Sequence, residues 1–138
     1  MKAEELRIGN YVKIDAGIGK IVSLMSNIFC NECANDDYNI TIEMGNGTFR
    51  EEEEAKVEGI PLTEEILLNC GFEYINHNNK TIGMLSPDDG RGNRNRIMSF
   101  DSNFRMILNT WNYIPINYIH EVQNFYFAIT NKELNIQL

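Results

Sequence analysis

The sequence predicts an α+β fold: a small SH3-like β-roll at the N-terminus, then a β-sheet lobe packed by a short helix and a longer C-terminal helix. Three observations carry that prediction. Short runs of strand-type residues alternate with Gly- and Asn-rich turns up to about residue 58. Pro61–Phe72 holds a complete set of helix start and stop residues. Between Ile116 and Thr130 the apolar residues repeat with helical rather than strand period. At 138 residues, 43% hydrophobic and 23% charged, the chain is sized for one compact domain with a real core, with sub-lobes at about 1–58 and 59–138.

The elements follow in order. Lys2–Leu6 can make one helical turn. Tyr11–Ile14 and Lys20–Leu24 read as strands around a turn at Asp15–Gly19, where glycine supplies backbone freedom. Tyr38–Met44 alternates, with Tyr38, Ile40, Ile42 and Met44 on one side. Asn46-Gly47 then marks a hairpin returning through Thr48–Arg50. Together these suggest a five-strand roll. The four acids Glu51–Glu54 repel one another and read as a solvated edge or loop closing the first β unit. In the short helix Thr63 caps, Glu64 and Glu65 sit at the positive end of the dipole, and Leu62 and Leu67 form a hydrophobic staple. Gly71 and Phe72 close it as a Schellman ending. Strands are expected over Phe72–Ile75, Lys80–Leu85, Arg96–Phe100 and Phe104–Leu108, with a loop at Ser86–Asn95. Trp111–Pro115 leads into the second helix, for which Asn117 is the expected N-cap. There Tyr118, Ile119, Val122, Phe125, Tyr126 and Ile129 fall within an arc of about 120°. His120, Gln123 and Phe127 lie outside that stripe and ask for a second contact surface: a sheet, a partner subunit or a ligand. Alternating Leu134, Ile136 and Leu138 predict a last strand over Glu133–Leu138.

Charge and cysteine usage narrow the function classes. A formal charge of -8 disfavours general nucleic-acid binding, which draws its affinity from Lys and Arg against phosphates. No run approaches the roughly 20 apolar residues that span a bilayer, and the N-terminal residues lack a signal-peptide core. A cytoplasmic protein of a bacterial host is the expectation, with no membrane partner. Cys30, Cys33 and Cys70 are read as reduced thiols. Cys30 and Cys33 have zinc-ligand spacing, yet a structural zinc needs four ligands and no second Cys/His pair accompanies them, so no metal or cofactor is expected.

Glu5-Leu-Arg-Ile-Gly-Asn-Tyr-Val12, Ile60-Pro-Leu-Thr-Glu-Glu-Ile-Leu-Leu68 with Gly71-Phe72, and Ile119-His120 through Gln123–Thr130 with Glu133-Leu134 recur in this order and spacing in one family. By these segments, about a third of its length, the chain resembles uncharacterised small proteins of phages and integrated mobile elements of gut bacteria. That family often has Gly after the helix-ending Thr, where this chain has Asn131-Lys132. The resemblance implies a scaffold and an origin. It says nothing of the loops between the motifs.

Chemistry gathers in one of those loops. Asp88-Asp-Gly-Arg-Gly-Asn-Arg-Asn-Arg96 holds three of the six arginines, beside glycines that let backbone N–H groups approach a ligand. Guanidinium forks and exposed amides suit a phosphate; a solvated loop whose arginines pair with Asp88, Asp89 or the Glu run is the plainer alternative. No Gly-Lys-Ser/Thr ending follows, so nucleotide hydrolysis is not implied. Candidate ligand contacts are Arg91, Arg94, Arg96, Trp111 as a stacking ring, and His120 near a helix start. No catalytic residue and no enzyme activity is read. The expected function is a non-enzymatic phage-type accessory protein that sequesters a small phosphorylated or nucleotide ligand, in a counter-defence role. That pocket could form in a homo-oligomer, where the His120 face and the arginine loop meet. The alternative is an adaptor or inhibitor that meets a host protein through the acidic stretch or the second face of the C-terminal helix.

Overall fold

A computed structural model describes residues 2–26 and 38–138. Cys30 and Cys33 lie outside the described residues. The fold is α+β, with two antiparallel sheets and two α-helices. The chain divides into two compact units, Met1–Ile60 with Tyr118–Asn124, and Pro61–Asn117 with Phe125–Leu138.

In the first unit, β1 (Tyr11–Ile14), β2 (Gly17–Ser26), β3 (Tyr38–Met44) and β4 (Phe49–Glu53) form a meander in the order β1-β2-β3-β4. A 3-10 turn at Glu54–Lys56 follows, and Glu58 then bridges antiparallel to Lys13 of β1. The sheet thus has four strands where five were expected, and the Glu58 bridge to Lys13 stands in the place of a fifth. Its core is Val12, Ile14, Ile21, Ile40, Ile42 and Met44, on the inward sides of strands whose alternate residues face water, with Leu6 and Val57 added from the ends of the two 3-10 turns. Gly19, read from sequence as part of a turn, is inside β2: the turn is only Asp15 and Ala16, and a Cβ at Gly19 would come within 2.7 Å of the Glu43 carbonyl. Glu51–Glu53 of the acidic run belong to β4, an edge strand whose side chains are exposed except for half-buried Glu52, and Glu54 opens the 3-10 turn. Charge on an open edge discourages pairing with another strand.

In the second unit, α1 (Glu64–Asn69) precedes β5 (Glu73–Asn76), β6 (Thr81–Leu85), β7 (Arg96–Phe100), β8 (Arg105–Ile107) and β9 (Tyr113–Pro115), paired in that order. Thr63 Oγ1 accepts the Ile66 N–H at 3.2 Å. Gly71, at φ +91°, donates to the Leu68 carbonyl, and Phe72 donates to that of Leu67, both at 3.1 Å. These are the two bonds of a Schellman motif, which a left-handed glycine makes without strain. Helix α1 therefore has both ends closed by residues recognisable in sequence. β9 was not foreseen, because Pro115 argues against a strand; it fits here since β9 is at the edge of the sheet.

Helix α2 (Ile119–Thr130) starts one residue later than expected. Glu121, in the first turn, sends its carboxylate back to the Tyr118 N–H at 2.9 Å, the reciprocal half of a capping box. At the other end Asn131 takes the left-handed conformation, φ +54°, and donates to the Phe127 carbonyl at 2.7 Å; asparagine tolerates the geometry that glycine more often supplies. The strand expected over Glu133–Leu138 is absent. Leu134 is buried, Ile136 half-buried and Leu138 exposed, so the alternating side chains leave the core as the segment proceeds. The Gln137 N–H is spent on Cys70, a buried thiol whose pKa burial pushes up.

Of the residues of α2 outside the apolar stripe, His120 and Gln123 are buried within the first unit, whereas Phe127 is 36% exposed. Gln123, 1% exposed, accepts the Tyr11 N–H at 2.9 Å and donates to the Gly9 carbonyl at 3.0 Å. Asn124 Oδ1 receives Asn10 Nδ2 at 2.9 Å and Arg7 Nε at 3.1 Å, while its own amide donates to the Glu5 carbonyl. Ile129, placed in the stripe by periodicity, is exposed.

Candidate binding edge

Strand alternation decides which loops of the five-stranded sheet share an end. β6 runs into the loop 86–95 and β7 returns from it; β8 runs into the turn 108–112 and β9 returns from that. Both connections therefore lie at the same end of the sheet, as does the start of β5. Arg96 opens β7, and the neighbouring strand β8 ends in the turn that carries Trp111.

The loop is ordered by its own acids. Asp88 Oδ1 accepts the N–H groups of Gly90 and Gly92, both at 2.8 Å. Asp89 Oδ1 accepts those of Arg91 at 2.8 Å and Asn93 at 3.2 Å. Gly90 and Gly92 both stand at φ +82°, which brings successive amides round onto the carboxylates. The backbone donors that could have cradled a phosphate thus already hold an anion, one built into the loop. Those bonds, first of all the Arg91 N–H, hold the Asp89 carboxyl below the usual range.

The three arginines divide. Arg94 donates to the Ser86 carbonyl at 3.0 Å and pairs with Glu73 at 2.7 Å, so it ties the loop to the start of β5. Arg91 and Arg96 are exposed, and neither has a carboxylate partner among the described residues. Trp111 is 86% exposed: Asn109 Oδ1 accepts the N–H groups of Trp111 and Asn112, each at 3.0 Å, fixing a tight turn with the indole outside. Leu108 and Tyr113 flank it, 55% and 42% exposed. The Arg105 guanidinium lies 4.7 Å from the Tyr113 ring centroid and is anchored by Asp101 at 2.6 Å. Tyr113, like Trp111, is an aromatic that its place near the arginine loop in sequence offers as a stacking ring, whereas Leu108 and Arg105 were missed; the available signal was a tryptophan inside an Asn- and Thr-rich turn, where no core can receive it.

His120 belongs elsewhere. It lies in the first unit, is 1% exposed and stacks on Tyr118 at 5.6 Å. Nδ1 has no hydrogen-bond partner among the described residues. Such burial closes the ring to a dissolved ligand. It lowers the pKa below the ordinary 6.5, chiefly by desolvation, with Glu121 and then Glu5 pulling the other way. The unfolded chain therefore takes up a proton that the folded ring resists. Stability is expected to be full above pH 6.5 and to fall as pH drops below it. Urea midpoints on either side of that pH, for the native chain and for His120→Gln, check this: the variant, which cannot titrate, should lose that part of the slope.

A depression of about 340 Å³ in the first unit is lined by Tyr11, Ile18, Lys20, Glu43, Met44 and neighbouring glycines. Lys20 and Glu43 face each other across β2 and β3, so its lining carries no net charge to attract an anion. Among the described residues no group of three or more His, Cys, Asp or Glu is placed to hold a metal, and no helix is long and apolar enough to cross a membrane. Comparison with protein-family models, with curated proteins and with solved structures finds no match to this chain.

Proposed function

We propose that this chain is a non-enzymatic binding protein, an accessory of the mobile-element kind that its motif segments resemble, and that it holds another protein by the Trp111 end of the five-stranded sheet. The observation that carries this reading is the exposure of Trp111, 86%, beside Leu108 and Tyr113 and at the same sheet end as Arg91 and Arg96, which have no acid partner among the described residues. Tryptophan, tyrosine and arginine are the side chains on which interface energy concentrates. An indole so open needs a broad surface to cover it, more than a small molecule stacked on one face offers.

A second reading keeps the small phosphorylated or nucleotide ligand. It is favoured by an exposed aromatic ring at the same sheet end as two guanidinium groups that have no acid partner among the described residues, with the contact made by side chains because the loop amides are taken. Trp111 is the chain's one tryptophan, so its fluorescence reports on this edge alone. Pull-down from host lysate should recover a stoichiometric protein that Trp111→Ala and Arg91→Ala/Arg96→Ala both release. Cyclic and linear nucleotides should leave the emission unchanged. A saturable quench by one of them, with no protein recovered, would turn the assignment to the small ligand.

A further inference from the structure

We propose that the protein covering the Trp111 edge is a second copy of this chain, which brings to it the outer face of β4. The inference rests on reading that edge as a protein-binding surface and names its partner. Register places the residues. Glu52 and Arg50 stand opposite Ile40 and Ile42 of β3, which are fully buried, so both point to the core side. Phe49, Glu51 and Glu53 stand opposite Glu43, Thr41 and Asn39 and point outward, because directly opposed residues share a face. All three are exposed, Phe49 at 61%. Alternate residues on one strand lie about 7 Å apart, so this face offers an aromatic ring followed in line by two carboxylates, of which Glu53 also has Lys56 at 3.9 Å in an exposed, loose ion pair.

The Trp111 edge offers the converse, an aromatic ring beside two guanidinium groups that lack acid partners among the described residues. Guanidinium and carboxylate meet through paired N–H···O bonds, and aromatic rings add an offset or edge contact. The chain's formal charge of -8 opposes self-association at a distance. At physiological salt that repulsion fades over about 8 Å, whereas the two surfaces carry opposite signs where they touch. The contact joins two different surfaces, so each copy keeps one of each free and assembly continues past the dimer unless a ring closes.

Sedimentation equilibrium on the full chain, from micromolar to millimolar, should show the average mass rising above that of the monomer, less so in high salt. Arg91→Glu/Arg96→Glu and Glu51→Lys/Glu53→Lys should each sediment as monomers with unchanged far-UV circular dichroism, and mixing them in equal amounts should restore association. A monomer at every concentration, or association that survives both reversals, overturns the inference. The broader reading falls separately, when Trp111→Ala and the arginine variants lose nothing that the native chain captures from lysate.

Discussion

Replacing Gln123 by leucine is expected to destabilise the fold by about 2–4 kcal/mol, although leucine matches its size and suits a buried helix position. The amide is 1% exposed and bridges the Tyr11 N–H and the Gly9 carbonyl. Leucine would leave two backbone groups without the partner the helix supplies, and each such buried group costs about 1–3 kcal/mol. Gln123→Glu is the sharper control. It keeps the acceptor for Tyr11 but sets a carboxylate oxygen against the Gly9 carbonyl and buries a charge, so it should be at least as harmful as leucine. Urea unfolding followed by circular dichroism measures both. A loss below about 0.5 kcal/mol for Gln123→Leu, the ordinary range of surface changes, would mean that the amide does not hold the helix in place.

This network also accounts for what was readable in the sequence. Glu5–Val12 and the helix from Ile119, two of the segments that stand out in the sequence, are two halves of one lock: Asn10 and Arg7 donate to Asn124, and Gln123 spans Gly9 and Tyr11. Ile60, which opens the segment between them, accepts the Ile119 N–H at 3.0 Å. These segments are thus scaffold, while the proposed binding edge lies in 86–115, outside them.

Local chemistry was legible and long-range pairing was not. Thr63, Gly71 and Phe72 close α1 through contacts within a few residues, so their types and spacing suffice. Gln123 on a helix face is ambiguous in sequence, because its partners are more than a hundred positions away. The Asp88–Asn93 loop misled for a related reason. Glycines and arginines in an acidic protein suggest an anion site, but the two aspartates that precede them are the anions, and this follows only from where the backbone turns. The C-terminal alternation failed as a strand signal because Leu134 alone reaches the core.

Phe100→Ala should be the most damaging single truncation in the second unit, at about 3–5 kcal/mol. Phe100 is fully buried and stands between Ile82 of β6 and Met106 of β8, each only 3% exposed. Its ring lies 5.6 Å from that of Phe72, the residue that closes α1, so removing it opens a cavity under three strands and a helix end and forfeits an aromatic pair. Phe100→Leu, which retains most of the volume, should cost markedly less and remain measurable if the alanine variant does not fold. Trp111→Ala, at an exposed turn, should stay within about 0.5 kcal/mol of the native chain while abolishing capture of the partner. Because Trp111 is in water before and after unfolding, its emission is a poor monitor, and circular dichroism against urea is the measurement. A small loss for Phe100→Ala together with a large one for Trp111→Ala would reverse the assignment of core and edge in this unit.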